Sequence, residues 1–393
     1  MTTVDRSTKE HTVKPRLMTV YGTRPEAIKV APVIQAIEAG STFQGITVVT
    51  GQHREMLDQV NELFGIVPDY DLDILQHGQT LAGITSRVLE GLDPILEATK
   101  PDAVMVQGDT TTSTAAALAA FYRQIPVVHL EAGLRSHDIT SPFPEEANRK
   151  ITTQIAALHL APTAESKTNL LREGVAAADI AVTGNTVIDA LLMTVSKAVP
   201  FADPALESLA SSARPILLVT THRRESWGDN MRGVGRALAR IARNDPELMI
   251  VLPAHRNPIV REALLPYLKG LENVLVTEPL PYGEFTRMLG LATIVLTDSG
   301  GVQEEAPSLG KPVLVMRENT ERPEAVDAGT VILIGTNEDR IVKDVERLIH
   351  DPVHYATMAN AVNPYGDGNA SRRVVAAIAE MLGVGTRAED FRP

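Results

Sequence analysis

The stretch 103–149 reads AVMVQGDTTTSTAAALAAFYRQIPVVHLEAGLRSHDITSPFPEEANR. It holds two short strands of the buried type, Ala103–Gln107 and 126–130. Each runs straight into an acid, Asp109 after the first and Glu131 after the second. A third acidic site, Glu145-Glu146, follows a proline-bounded loop. Open α/β sheets bind their ligands just past the carboxyl ends of parallel strands. Possible acid/base groups are therefore expected together at one sheet edge.

Strand and helix alternate on both sides of this stretch. Upstream, a strand at 17–21 meets the turn Gly22-Thr23-Arg24-Pro25 and a helix from Glu26 to about Glu38. Pro25 suits a first helical turn, where its missing N–H costs little. Ile28, Ala31, Val33, Ile34 and Ile37 give that helix a buried face. A strand at 46–50, Gly51-Gln52-His53-Arg54, a helix to Phe64 and a long helix at 81–98 follow. Downstream come a helix (151–156), a strand (Leu158–Ala161), a helix (165–173) and a strand (180–183). Gly184-Asn185-Thr186 then opens another helix. The region 198–214, rich in Ala, Ser and Pro, reads as inter-domain. Strands return at 216–221, 248–252, 273–276, 293–297, 312–316 and 331–334. The pattern predicts an α/β chain of two Rossmann-like domains, each with its own parallel sheet, facing a cleft. The C-terminal helix (371–382) carries an apolar stripe of Val374, Val375, Ile378 and Met381.

The totals agree. A chain of 393 residues is long for one core, so two domains are expected. A net charge of −12 argues against nucleic acid, whose phosphates demand clustered Lys and Arg. A local basic pocket for an anionic ligand remains compatible with it. The absence of cysteine excludes disulfides, thiolate metal sites and cysteine nucleophiles, and fits a cytoplasmic protein. No apolar run approaches a membrane span. Residues 1–14 are polar, lack an apolar core, and read as a disordered leader rather than a secretory signal. There is neither a GxGxxG fingerprint after the first strand nor a GxxxxGK[ST] motif, which disfavours dinucleotide binding and P-loop chemistry.

The second half supplies candidate anion sites. In Asp298-Ser299-Gly300-Gly301-Val302-Gln303-Glu304-Glu305 a strand ends in a small-residue turn and a helix begins. Free N–H groups and the positive helix end suit a phosphate, although an ordinary βα turn has the same look. Glu305, one turn in, is placed for a ribose diol. Thr221-His222-Arg223-Arg224-Glu225 follows the first strand of the second domain, where His222 can donate to a phosphate and the arginines can clamp anions. Pro253-Ala254-His255-Arg256-Asn257 repeats that pattern. Arg24 and Lys29 are cations at the first βα turn, and Glu321 and Arg322 follow a later strand end. His129 and Glu131 share a strand face. With Asp109 and Glu145 they read either as a metal site or as carboxylates for general acid/base work.

Eight motifs together resemble the non-hydrolysing UDP-N-acetylglucosamine 2-epimerases. They are Gly22-Thr23-Arg24-Pro25-Glu26, Gln52-His53-Arg54-Glu55-Met56-Leu57, Gly108-Asp109-Thr110-Thr111-Thr112, His129-Leu130-Glu131-Ala132-Gly133-Leu134-Arg135, Pro144-Glu145-Glu146-Ala147-Asn148-Arg149, Gly184-Asn185-Thr186, Thr221-His222-Arg223-Arg224-Glu225 and the 298–305 run. The resemblance covers about Leu17 to the C-terminal helix. It implies a glycosyltransferase-B-like fold: a first domain at 15–184 carrying the acids, rejoined by the C-terminal segment 368–393, and a UDP-binding domain at 185–367. It implies reversible conversion of UDP-N-acetylglucosamine to UDP-N-acetylmannosamine, with no cofactor and no metal. By motif, Asp109, Glu131, Glu145 and His222 fall at catalytic positions and Arg24 and Lys29 at substrate-contacting ones. Ser299, Gly300, Gly301, Glu305 and Arg322 contact UDP, with Phe285 near the uracil. Some members have Gln where Leu280 stands here. Gln52, His53, Glu55 and Arg224 resemble a second, activating UDP-N-acetylglucosamine site. A homodimer serving polysaccharide synthesis for the cell envelope is the matching expectation. A hydrolysing epimerase and a two-domain glycosyltransferase are the alternatives.

Overall fold

The computed structural model describes residues 14–52, 54–223, 227–320 and 322–393. Within them the first sheet is built from β1 (Arg16–Tyr21), β2 (Gln44–Val49), β3 (Tyr70–Asp71), β4 (Ala103–Gln107), β5 (Val127–Leu130), β6 (Leu158–Ala161) and β7 (Ile180–Val182). Its connections carry α1 (Arg24–Ala39), α2 (Arg54–Phe64), α3 (Leu81–Thr99), α4 (Thr111–Tyr122), α5 (Glu145–Ile155) and α6 (Ala164–Arg172). Two helices, α7 (Thr186–Ser196) and α8 (Pro204–Ala210), lead to the second sheet. That sheet holds β8 (Ile216–Thr220), β9 (Met249–Pro253), β10 (Val274–Thr277), β11 (Ile294–Thr297), β12 (Val313–Val315) and β13 (Val331–Leu333). It alternates with α9 (Asp229–Asn244), α10 (Pro258–Leu268), α11 (Tyr282–Leu291), α12 (Gly300–Glu305) and α13 (Pro323–Asp327), and α14 (Glu338–His350), α15 (Pro352–Ala359) and α16 (Ala370–Met381) close the chain.

All pairings inside both sheets are parallel. The orders are β3-β2-β1-β4-β5-β6-β7 and β10-β9-β8-β11-β12-β13. In each sheet the order reverses beside its first strand, between β1 and β4 and between β8 and β11. A crevice opens at such a switch point, outside the carboxyl ends of the strands. Gly22 and Asp109 follow β1 and β4; His222 and Ser299 follow β8 and β11. The central strands, such as β4, β5 and β11, are buried on both faces, so they read as unbroken apolar runs rather than alternating ones.

The turn after β1 is tight. A Cβ on Gly22 would lie 2.0 Å from Thr50 Oγ1, so this position admits only glycine. Buried Glu26 then accepts from the N–H groups of Gly22 (3.0 Å) and Thr23 (2.8 Å) and from the Thr110 hydroxyl (2.7 Å). One carboxylate thus caps α1 and ties it to the start of α4.

The region 198–214 is not a bare linker. Asp203 caps α8 through Ala205 N–H, and Pro204 takes its first turn. Leu206 is fully buried, and Glu207 forms a two-bonded ion pair with Arg287 of α11 at 2.6 and 2.8 Å. The Asp-Pro pair is a helix-start signal that the small-residue composition around it masks. The helix α7 packs on α1 on one side and on α11 and α12 on the other, while α16 packs on α1, α7 and β6. Among the described residues no helix is long and apolar enough to cross a membrane.

Candidate active site

The two switch points face a cleft of about 530 Å³ lined from both halves. Arg24, Ile28 and Lys29 of α1 form one side; His222, Phe285, Ser299, Gly301, Glu305 and Arg322 form the other. Leu280 lines it beside Phe285, giving an apolar end.

On the second-sheet side the organiser is Asp298, fully buried after β11. Its Oδ2 accepts from Thr221 Oγ1 (2.8 Å), His222 N (2.9 Å) and Arg223 N (3.0 Å). Its Oδ1 lies 3.1 Å from His222 Nδ1. Burial alone would raise its pKa, but the His222 ring and the backbone donors bring it below the usual value. The carboxylate therefore fixes the His222 loop through its backbone N–H groups and stands beside the imidazole ring. Ser299 is the N-cap of α12 but makes no side-chain cap bond, so its hydroxyl is available in the cleft.

Glu131 stands beside the cleft, joined to its lining through Lys29 rather than lining it. It follows β5 with φ +64°, an uncommon left-handed conformation for a side-chain-bearing residue. Lys29 Nζ reaches its two oxygens at 2.5 and 2.6 Å. Gln107 donates to Oε2, and Asn185 Nδ2 donates to Oε1 at 3.1 Å. Burial pushes the Glu131 pKa up, but Lys29's charge and these donors outweigh it and hold it below the ordinary value. Glu131 is thus an anion at neutral pH. Asn185 also donates to Glu304 Oε2 at 2.8 Å, and Glu304 Oε1 takes Arg322 Nε at 2.5 Å.

Neither Asp109 nor Glu145 lines the cleft in this conformation. Asp109 pairs with Arg149 through Nε (2.8 Å) and a second guanidinium nitrogen (2.6 Å). The residue before it, Gly108, stands against Glu131: a Cβ there would lie 3.6 Å from Glu131 Oε2. Glu145 opens α5 with Oε2 buried and unpartnered. Gln52 accepts from Thr112 Oγ1 at 2.7 Å, and Glu55 is exposed on α2. His53, Arg224, Glu225 and Glu321 lie outside the described residues.

Glu305 is buried, and burial with the neighbouring Glu304 charge pushes its pKa up to about 7 despite a hydrogen bond from Tyr282 (3.1 Å). Gly300 gives Arg322 its place. A Cβ there would stand 2.5 Å from Nη1 and 2.7 Å from Cζ. Gly300→Ala is expected to displace the guanidinium and weaken UDP binding by about 10-fold, with little change in thermal unfolding. Calorimetric titration with UDP measures it.

His129 does not turn toward the acids. It donates from Nε2 to Gly108 O at 2.8 Å, and burial pushes its pKa down to about 4. Its cross-strand neighbour His159 is lowered likewise, to about 4. Among the described residues no group of three or more His, Cys, Asp or Glu is arranged to hold a metal. Both histidines stay neutral when folded and gain protons below about pH 6.5 when unfolded. Their contribution is therefore present above pH 6.5 and is lost as pH falls toward 4. His159→Leu is expected to remove one such contribution, about 3 kcal/mol at full extent. Urea unfolding of both proteins at pH 7.5 and 5 checks it: the wild type loses more.

Sequence reasoning assigned no role to Gln107, Asn185, Tyr282, Asp298 or Glu304. All but Gln107 and Tyr282 stood inside motifs already quoted, which was the available signal.

Comparison with known proteins fits this geometry. The model of the UDP-N-acetylglucosamine 2-epimerase family matches residues 35–379. The UDP-N-acetylglucosamine 2-epimerase of Yersinia pestis is 52% identical over 368 residues, covering 92% of this chain and 98% of that protein. A crystal structure of a putative epimerase from Listeria monocytogenes superposes with TM-score 0.92 at 47% identity, covering 97% of this chain and 100% of that one. The Neisseria meningitidis enzyme, solved bound to UDP-N-acetylglucosamine, gives TM-score 0.83 at 46% identity, covering 93% and 100%. A glycosyltransferase of kitacinnamycin, at 12% identity and TM-score 0.64, shares the fold alone, and the two-sheet architecture is glycosyltransferase-B-like. This chain belongs to the UDP-N-acetylglucosamine 2-epimerase family.

Proposed function

We propose that this chain interconverts UDP-N-acetylglucosamine and UDP-N-acetylmannosamine by eliminating and re-adding UDP, without hydrolysis. The observation that carries the reading is the ionised, four-times-hydrogen-bonded Glu131 beside a cleft whose far wall presents His222, Ser299 and Arg322. A sugar C2 bearing nitrogen and no adjacent carbonyl has no acidic proton. Loss of that proton needs simultaneous departure of the group on C1. The C2–H pair then forms the C1=C2 bond, the C1–O pair leaves on the β-phosphate, and 2-acetamidoglucal remains. UDP adds back to C1 as a proton reaches C2 on the opposite face.

This route needs donors aimed at the diphosphate and carboxylates near C2. We assign Arg24, His222, Ser299 with the Gly300-Gly301 turn, and Arg322 to the diphosphate. Glu305 takes the ribose and Phe285 the uracil. Asp109, Glu131 and Glu145 handle the proton, with Lys29 holding Glu131 as a base. Asp109 and Glu145 stand behind the present cleft wall, so closure of the two halves around substrate belongs to the mechanism. Closure also retains the glucal against water. The enzyme uses no cofactor in this scheme. Gln52, His53, Glu55 and Arg224 are assigned to a second, activating UDP-N-acetylglucosamine site. The first domain spans 15–184 with 368–393, and the second spans 185–367. A cytoplasmic homodimer supplying envelope polysaccharide synthesis completes the proposal.

Incubation with UDP-N-acetylglucosamine alone, followed by separation of products, tests it. UDP-N-acetylmannosamine without free N-acetylmannosamine is expected. Free N-acetylmannosamine with matching UDP would assign a hydrolysing epimerase. Conversion only when a sugar acceptor is added would assign a glycosyltransferase.

A further inference from the structure

Gly184-Asn185-Thr186 is the one quoted motif to which the proposed function assigns no part. Asn185 is 4% exposed and sits between the two halves. Its Oδ1 accepts from Val187 N–H at 3.1 Å, capping α7, and its own N–H donates to Tyr365 O at 2.7 Å. That cap fixes the amide's direction: the oxygen faces the helix, so the NH₂ faces away from it. The NH₂ has two hydrogens and two acceptors, Glu131 Oε1 at 3.1 Å and Glu304 Oε2 at 2.8 Å. Ionised carboxylates only accept, so both hydrogens are committed.

The two carboxylates are otherwise bound in opposite directions. Glu131 is tied to Lys29 on α1, and Glu304 to Arg322 before α13. One amide therefore closes the chain Lys29–Glu131–Asn185–Glu304–Arg322 across the site. Without a donor between them, two buried anions at this spot would repel. We propose that Asn185 is a positioning residue for the reaction, registering the proton-handling carboxylate of the first half against the diphosphate-binding arginine of the second. It rests on the assignment of Glu131 and Arg322 above. Capping α7 alone would need only Oδ1. The two committed hydrogens are what a cap does not require.

Asn185→Asp separates the two roles. Aspartate caps a helix as well as asparagine, but when ionised it donates nothing and adds a third carboxylate. Asn185→Ser keeps a capping oxygen and offers at most one short donor. Wild type and both variants are assayed for kcat, KM and thermal unfolding from pH 6 to 9. The expected result is an Asn185→Asp protein that still folds but unfolds at lower temperature at the alkaline end, with kcat per folded enzyme about 100-fold lower there and KM changed far less. Its kcat recovers in part toward pH 6, as the introduced carboxylate takes a proton and donates once. Asn185→Ser loses kcat with no such acid recovery, and it decides the matter if the Asn185→Asp protein does not fold. Wild-type kcat and pH profile in the folded variants, or activity lost only in proportion to unfolding, overturns the proposal. An inactive wild type would count instead against the epimerase reading.

Discussion

Asp109→Asn is expected to stop epimerisation and leave the fold in place. The side chain keeps its volume, and its carbonyl oxygen still accepts from Arg149 Nε, which lies 2.8 Å away. Arg149 also keeps Glu146 Oε2 at 3.1 Å, and the bond from the Asn148 side-chain amide to the Asp109 backbone carbonyl is untouched. What disappears is an ionisable group at the residue after Gly108, which itself stands against Glu131. Positioned proton transfer contributes on the order of 10²–10⁴ in rate. A fall in kcat of about 10³-fold or more is therefore expected, with UDP affinity nearly unchanged. Turnover is read by NMR and binding by calorimetry. Near-normal turnover would remove Asp109 from the chemistry.

Lys29→Met carries the second large effect, on stability as well as rate. Lys29 and Glu131 are both mostly buried, at 19% and 12% side-chain exposure. Removing the cation leaves Glu131 with two neutral amide donors, and an orphaned buried charge costs about 3–5 kcal/mol. The sign with pH follows from the Glu131 shift. In the wild type its folded pKa lies below the unfolded one, so the pair stabilises above the unfolded pKa and is lost as pH falls through the folded value. In the variant burial acts unopposed by Lys29 and raises that pKa. Glu131 then opposes folding at neutral pH and ceases to do so once protonated. The stability gap between the two proteins is expected to be widest near pH 8 and to narrow toward pH 4. Urea denaturation across that range measures it, and a gap independent of pH would contradict the ion-pair account. Epimerisation is expected to be lost at all pH values, because the base loses the cation that keeps it ionised and oriented.

What was legible in the sequence follows from range. Apolar runs such as Ala103–Gln107 mark buried strands wherever they occur, so both sheets could be drawn from pattern. An acid immediately after a strand, as with Glu131, inherits its place from the strand. The two-residue β3 carries too few residues for any period, and α8 was hidden by its small-residue surroundings. The interlock at Asn185 was beyond reach for another reason. Its partners Glu131 and Glu304 are 54 and 119 residues away, and only the docking of the two halves brings them together. The pairing of His222 with Asp298 spans 76 residues within the second half and depends on β8 and β11 lying side by side. The separation of Asp109 and Glu145 from the cleft wall likewise depends on how the halves stand, which no local pattern encodes.

The central claim is that the C2 proton leaves the sugar and a different one returns. Running the reaction with UDP-N-acetylglucosamine in deuterium oxide and following C2 by NMR tests this most directly. UDP-N-acetylmannosamine carrying deuterium at C2 from the first turnovers, with deuterium then entering C2 of the recovered UDP-N-acetylglucosamine, is the predicted result. UDP-N-acetylmannosamine that retains its original C2 hydrogen would contradict it, as would no conversion at all.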